Sequence, residues 1–449
     1  MTNHTLLTDS SRSEDLEFIR PAQLQPLSHN ARTHSKKQLR QLADSIEQFG
    51  FTNPVLIDER GKILAGHGRV EAAKILGLVT VPCRRINNMT MAEKRAYVIG
   101  DNKLALNAGW DEELLATELQ GLLATEIDFD IGVTVFSIPE IDSLIEGLVP
   151  QDENDPSDDV VRDDGPPLSR VGDIWMMGPH RLICGDALKV ETYETLLGQE
   201  RAEMIFTDPP YNVPIAGHVS GSGAIKHHEF VMASGEMTSE GFTNFLEAAF
   251  RNLATYSVDG SIHFICMDWR HMQELLAAGH RSYDELKNLI VWAKNNGGMG
   301  TFYRSRHELI FAFKHGTAAH MNTFELGQNG RYRTNVWEYP GMNTLKFGRM
   351  EELALHPTVK PVAMVADAIK DVSKRNGIVL DAFGGSGSTL IAAHKTGRRA
   401  RLIELDPTYC DRIIRRWQNY AKDDAILAGT DKRFDDLAQE RNMAYTGEN

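Results

Sequence analysis

The sequence predicts an α/β layered domain with a mostly parallel sheet, preceded by a smaller α+β module. Three observations carry that reading. Beyond residue 170, short apolar runs rich in β-branched residues alternate with stretches of helical period, the pattern of a sheet covered by helices. Before residue 150, amphipathic and strand-like segments follow one another over a shorter span. Between them QDENDPSDDVVRDDGPPLSR, residues 151–170, is acidic, rich in Asp and Pro and nearly devoid of large apolar groups, the composition of a linker. A chain of 449 residues with 42% hydrophobic content is long enough to bury two or three cores.

Taken in order, the polar residues 1–17 are expected to be disordered. SKKQLRQLADSIEQFG has the helical period, NPVLIDERGKILAG reads as strand, turn, strand, and RVEAAKILG as a second helix. DEELLATELQGLLA adds helical pattern, so residues 18–148 form the first module with a helical extension and 149–170 the linker. Residues 171–422 form the layered domain and 423–449 a polar tail. Its strands are read in RLICGDA, EMIFTD, SIHFICM, NLIVWAK, HELIFAFKH, GIVLDAF and RARLIELD, and its helices in FTNFLEAAFRNLA, PVAMVADAIKDVSK and PTYCDRIIRRWQNYA. In such sheets ligands sit at the carboxyl ends of strands, and the motifs below fall there.

Composition excludes several classes. No run approaches the ~18 apolar residues of a membrane span, and MTNHTLLTDSSRSED lacks the apolar centre of a secretory signal, so a cytoplasmic protein is expected. Cys83, Cys184, Cys266 and Cys410 are dispersed and form no CxxC pair, which suits reduced thiols rather than a disulfide framework or a zinc site. His227 and His228 lack a third ligand at fitting spacing, so no metal is expected. The net charge of −14 is segregated: residues 151–168 hold seven acids against Arg162, and residues 423–449 seven acids against three bases. Residues 287–350 carry nine Lys or Arg against Glu308, Glu325 and Glu338, interleaved with Tyr303, Tyr332, Trp337 and Phe347. That mixture suits phosphate contacts and base stacking, and it equally describes a solvated face over a core.

Two motifs carry chemistry. In VLDAFGGSGST, residues 379–389, an apolar strand runs into Gly384, Gly385 and Gly387 and then a helix, a turn that lets backbone approach a ligand. The absence of a GK[ST] ending disfavours a nucleoside triphosphate, and Glu404, about twenty residues on at the end of the next strand, could accept both hydroxyls of a ribose. In EMIFTDPPYN, residues 203–212, Pro209 and Pro210 stiffen the chain behind a strand. Asp208 and the Pro209 carbonyl could accept the hydrogens of an exocyclic base amine and localise its lone pair, while Tyr211 stacks on the base. A surface turn is the plainer use of Asp-Pro-Pro.

DPPYN at 208–212, preceding FGGSG at 383–387, resembles the β-class of amino-group DNA methyltransferases, in which the catalytic half comes first. The resemblance spans about residues 171–422 and implies a Rossmann-like S-adenosylmethionine-dependent domain with a mixed seven-stranded sheet, acting on double-stranded DNA. HPTVKPVAMVADAI, residues 356–369, resembles the family's first donor-binding motif, with Lys360 and Pro361 at its centre. GDALKV resembles the segment that touches the donor adenine through Asp186, beside Ala187. By the same resemblance Phe383 packs near the donor, Asp381 and Glu404 hold its polar groups, and Ser386, Ser388, Thr389 and Asp406 complete that side. Target recognition is implied at about 316–350, where GRYRTNVWEYPG carries Arg331 and Arg333; Asn212, Arg304 and Arg306 join them as DNA contacts, and 213–235 reads as a loop closing on DNA.

GKILAGHGRVEAAKILGLVTVPC, residues 61–83, resembles the ParB-like nuclease superfamily over about residues 18–100, through Gly66, His67, Gly68, Arg69 and Glu71. The glycines before a helix could bind phosphate with Arg69 as counter-charge, although the doubled arginine of nucleotide-hydrolysing ParB proteins is missing. An accessory DNA-binding or regulatory domain is expected, and a retained scaffold without ligand is the alternative. By resemblance to that methyltransferase family, which uses DPPY chiefly for adenine, Asp208 implies adenine N6, with cytosine N4 and RNA as alternative acceptors. A solitary or phage-type modifier working as a homodimer is expected; a partition or regulatory binding protein acting through its first module is the reading from another class.

Overall fold

The computed structural model describes residues 16–26, 32–125, 130–148, 156–159, 166–212, 235–295, 297, 302–323, 333–341 and 359–446. Two compact units divide the chain, Met1–Val149 and Pro150–Asn449. No helix of the described residues is long and apolar enough to cross a membrane.

In the first unit, β1 (Glu17–Ile19), β2 (Gln25–Pro26), β3 (Val55–Asp58), β4 (Lys62–Ala65) and β5 (Val81–Ile86) form one sheet in the order β1-β5-β3-β4-β2. Helices α1 (Lys36–Phe49), α2 (His67–Ile75), α3 (Met91–Asn107), α4 (Glu112–Ala124) and α5 (Ile138–Leu148) accompany it. The caps explain the boundaries: Ser35 accepts from the Gln38 N–H at the start of α1, and Thr90 and Glu93 form a reciprocal capping box at α3. Asp58 closes the β3–β4 turn by accepting the N–H groups of Arg60 at 2.9 Å and Lys62 at 2.8 Å. The buried Lys94 ammonium of α3 locks that turn through Asp58 and Glu59. Val55, Ile57, Ile63, Val70, Val81 and Cys83 make the core, while Leu119, Ile141 and Ile145 join α4 to α5 in a separate small cluster.

The second unit is built on a mixed sheet of ten described strands. These are β6 (Ile174–Met177), β7 (His180–Cys184), β8 (Ala202–Thr207), β9 (Ser257–Met267), β10 (Glu285–Ala293), β11 (His307–Lys314), β12 (Val336–Glu338), β13 (Ile378–Asp381), β14 (Arg399–Glu404) and β15 (Ile426–Leu427). Their order is β12-β10-β11-β9-β8-β13-β14-β7-β6-β15. The expected α/β layering is present, and the sheet exceeds the expected seven strands. β6, β12 and β15 are two to four residues long, too short to show a period in sequence. β7, β14, β13, β8 and β9 run parallel, whereas β11 is antiparallel to both β9 and β10.

Period-2 alternation supplies both faces. Met204 and Phe206 join Phe264 and Ile310 on one face, under α9 (Val362–Val372), α10 (Ser388–Lys395) and α11 (Pro407–Ala421). Ile205, Ile265, Phe311 and Leu380 line the other, under α6 (Val190–Leu197), α7 (Ser239–Thr255) and α8 (Met272–Ser282). A last helix, α12 (Phe434–Thr446), occupies the stretch expected to be a polar tail, and Phe434 buries itself against Trp175. Parts of the stretch read as linker are held on this unit as well. Arg416 of α11 donates to the Ser157 carbonyl at 2.7 Å, Asp158 accepts the Val362 N–H at 2.9 Å, and Asp411 accepts the N–H groups of Leu168 and Ser169. Buried Arg416 and Asp411 each need partners that the surrounding apolar core does not offer.

Candidate active site

Neighbouring strands bring the two motifs together. Strand β8 ends at Thr207, so Asp208 emerges beside β13, whose last residue Asp381 opens the glycine turn. The Thr207 hydroxyl donates to Asp381 at 2.8 Å across that junction. β14 lies next, ending at Glu404, and pairs with β7 through Glu404 and Cys184, which sets Asp186 two residues further on. Asp208, Asp381, Glu404 and Asp186 therefore stand along the carboxyl edge of four adjacent parallel strands.

On the glycine side, the Gly385 N–H donates to one Glu404 carboxylate oxygen at 2.8 Å and the Asp406 N–H to the other at 3.0 Å. Gly387 takes φ 81°, which an L side chain adopts at a cost, and a Cβ at Gly384 would press on Ile413 of α11 at 3.1 Å. The turn is thus held flat against the sheet. Burial raises the Glu404 carboxyl to about 7, the charges of Asp406 and Asp381 add to it, and the two N–H donors oppose it. Burial likewise raises Asp381 to about 7 against hydrogen bonds from Thr389, Thr207 and the Phe383 N–H. Phe383 packs toward Phe245, and Asp186 folds back to accept the Leu188 N–H at 2.9 Å. Ala187 is buried, its carbonyl accepting from Tyr193 and Asn252. Ser388 and Thr389 point inward, toward Arg416 and Asp381, and the Ser386 carbonyl also serves Arg416; Asp406 caps α11 through the Thr408 N–H.

On the catalytic side both oxygens of Asp208 are engaged. Tyr211 donates its hydroxyl to one at 2.6 Å, and the Lys360 ammonium donates to the other at 2.6 Å. Lys360, read as a donor-side residue, thus turns its ammonium to Asp208, while Pro361 beside it starts α9. Lys360 also contacts Glu308 at 3.2 Å, and Glu308 pairs through its other oxygen with Lys294. Burial pushes the Asp208 carboxyl up, with the Glu308 charge adding to the push and Lys360 and Tyr211 opposing it. For Glu308, burial is outweighed by Lys360 and then Lys294, which bring it down to about 2. Two acids and two lysines therefore balance in one cluster, in which Lys360 is buried and the other three are half-buried.

Sequence reasoning missed Glu308 and Lys294. They stand at opposite strand ends of the antiparallel β10–β11 pair, where Trp292 registers with Glu308 and Lys294 follows Ala293. A charged residue at each loop-facing end of two apolar runs was the available signal.

Several residues expected at DNA are placed otherwise. Asn212 is buried with φ 52°, and its side chain holds the chain at 235–237 by accepting the N–H groups of Gly235 and Met237 and donating to the Met237 carbonyl. Arg333 pairs with Asp371 and Asp367, donates to Tyr339 and lies over the Trp337 ring, so its charge is committed internally. Arg304 donates to the Gly297 carbonyl at 2.8 Å, and Arg306 is exposed. Arg331, His227, His228, residues 356–358 and most of 213–235 and 316–350 lie outside the described residues.

In the first unit, Gly66 caps α2 with φ 97°, and a Cβ at Gly68 would meet Leu42 at 2.8 Å, which accounts for both glycines by packing and turn geometry. Arg69 donates to the carbonyls of Asn53 at 2.6 Å and Pro54 at 3.1 Å rather than facing outward as a counter-charge. Burial holds the neighbouring His67 below its ordinary range.

Comparison with known proteins finds three matching family models. Residues 202–415 match the family model described as DNA methylase, residues 6–103 the ParB N-terminal domain, and residues 113–171 the ParB-methyltransferase HTH domain. The ParB-like nuclease domain-containing protein YnaK of Escherichia coli (strain K12) is 54% identical over 85 residues, 18% of this chain and 98% of that protein. YubD, a candidate methylase of the same organism, is 27% identical over 229 residues, 51% of this chain and 86% of that protein. The crystal structure of the M1.HpyAVI–SAM complex aligns with 53% of this chain and 98% of its own at 18% identity, with a TM-score of 0.37.

Proposed function

We propose, for a chain that belongs to the DNA methylases carrying an N-terminal ParB domain, that it methylates the exocyclic N6 of adenine in duplex DNA with S-adenosylmethionine as donor. The observation that carries this reading is the row of acids along one sheet edge, with Asp208 on the strand beside the glycine turn. S-adenosylmethionine, when bound, supplies an electrophilic methyl on a sulfonium. The residues on the donor side fit such a nucleoside. Glu404 is held by two backbone N–H groups and raised to about 7, as befits a carboxylate awaiting hydroxyl donors instead of a cation. The turn at 384–387 lets backbone approach the ligand, and Phe383 and Asp186 border it.

Asp208 and the Pro209 carbonyl then accept the amino hydrogens, which draws the nitrogen lone pair out of the ring. On transfer of the methyl from sulfur to that nitrogen, Asp208 would take the amino proton that is released. Tyr211, released from Asp208, stacks on the flipped base, an interaction worth about 1–3 kcal/mol against a flipping cost of a few kcal/mol. An aspartate in this tetrapeptide favours adenine over cytosine by family resemblance. The first unit serves as an accessory DNA-binding domain.

Transfer of tritiated methyl to duplex DNA, followed by digestion to nucleosides, tests the proposal. N6-methyl-2′-deoxyadenosine from the wild type and none from Asp208→Ala is expected. N4-methyl-2′-deoxycytidine would correct the base, and label unchanged by Asp208→Ala would remove the catalytic assignment.

A further inference from the structure

The resting cluster poses a problem that its own neighbours answer. Both carboxylate oxygens of Asp208 are taken, one by the Tyr211 hydroxyl and one by the Lys360 ammonium. An incoming amino group needs at least one of them. Tyr211 can leave by a rotation that keeps a neutral hydroxyl, but Lys360 is buried and charged, and an ammonium moved off its partner inside protein is costly unless another anion receives it. Glu308 is that anion: its Oε2 already lies 3.2 Å from the Lys360 Nζ and 3.5 Å from the Tyr211 hydroxyl. Its other oxygen is fixed by Lys294, whose ammonium also lies 4.4 Å over the Trp292 ring.

We propose that Glu308, anchored by Lys294, is a positioning residue that receives the Lys360 ammonium when the substrate amino group takes its place on Asp208; this rests on the methyl-transfer reading above. The cluster keeps equal numbers of acids and lysines in the exchange: Glu308 then faces both lysines, and Asp208 rests on the amino hydrogens that it must accept. Lys360 sits between two carboxylates and needs only to tilt from one to the other. The lysine strength that holds Glu308 at about 2 keeps this second seat ionised at every working pH. Among the described residues, the other titratable groups facing the pair are Tyr211, Cys266 of β9 and Asp381 of β13; burial keeps the first two protonated, and Asp381 is tied to Thr207 and Thr389.

The test compares Glu308→Gln, Glu308→Asp and Lys294→Gln in the full chain, with methyl transfer measured across pH and donor affinity measured by calorimetry. Glu308→Gln leaves Lys360 on Asp208, so kcat is expected to fall on the order of 100-fold with donor Kd within about twofold of wild type. Its acidic limb shifts to lower pH, because the Glu308 charge that raises Asp208 is gone. Lys294→Gln lets Glu308 draw Lys360 from Asp208 and shifts that limb to higher pH. Glu308→Asp restores most of the rate. A kcat within about twofold of wild type for Glu308→Gln, shifts of the same sign in both charge variants, or losses shared equally by Glu308→Asp and by donor binding would each overturn the proposal. If Glu308→Gln fails to fold, the sign of the Lys294→Gln shift decides. Absence of label with the wild type would instead remove the methyl-transfer reading and this proposal together.

Discussion

The two halves of one sheet edge treat their carboxylates in opposite ways. Around the glycine turn, Asp381 and Glu404 are recessed among hydroxyls and backbone N–H groups, and burial lifts both to about 7. Around the tetrapeptide, Asp208 and Glu308 share Lys360 and Lys294, and the lysines hold Glu308 near 2. Asp208, Asp381 and Glu404 leave parallel strands, whereas Glu308 stands at the start of the antiparallel β11, so the difference lies in what the antiparallel pair and the flanking segments bring. Acids without cations suit neutral hydroxyl donors, whereas an acid with an exchangeable cation suits a site where a partner must be displaced before chemistry.

The comparison predicts separable losses. Asp208→Ala should lower kcat by about 10³-fold or more while donor Kd stays within about twofold by calorimetry. A parallel loss of donor affinity would make the edge one electrostatic unit and end the distinction. Arg333 offers a further contrast, because it stands in the basic stretch yet faces Asp371 and Asp367. Arg333→Ala should cost about 3 kcal/mol of stability in urea melts by taking the guanidinium away from buried Asp371. The slope of DNA affinity against salt should stay unchanged, whereas loss of a phosphate contact would reduce it by about 0.9. Glu404→Ala should weaken donor binding about 10- to 100-fold, roughly 1.4–2.7 kcal/mol, with kcat at saturating donor nearly preserved.

How far these features were legible depends on the range of the interactions behind them. The layered fold, the glycine turn and the Glu404 spacing are local patterns, and α11 spans the residues its helical period announces, Pro407–Ala421. The catalytic cluster is not local: Lys360 meets Asp208 across 152 positions, and Glu308 meets Lys294 only because β10 and β11 pair in register. Asn212 was read from its motif as a contact to DNA, but its left-handed backbone and amide bonds to 235–237 depend on where the chain returns. Arg333 looked like a phosphate ligand because its acids, Asp367 and Asp371, lie a turn apart on α9 and are matched to it only by packing. Charge counts along a sequence thus indicate how many cations are near, and the fold decides which acids they serve.

The smallest effect tests the electrostatic half of the comparison directly. Glu404 has a folded-state value of about 7, above the ~4.3 of an unfolded glutamate, so the folded chain retains a proton there that the unfolded chain has released. The stability this contributes is fully present below the unfolded value and is lost as pH rises through about 7. Thermal or urea unfolding without donor should therefore show Glu404→Gln gaining about 1–2 kcal/mol relative to wild type between pH 5 and 8. Taking the difference between the two proteins cancels the slopes from the histidines. Donor affinity should move the opposite way: in the wild type it strengthens across the same window, as the carboxylate ionises and accepts hydroxyls, and in Glu404→Gln it stays flat. A wild type and variant with parallel stability curves would mean that cations reach Glu404 in solution, and the donor side would then resemble the catalytic side after all.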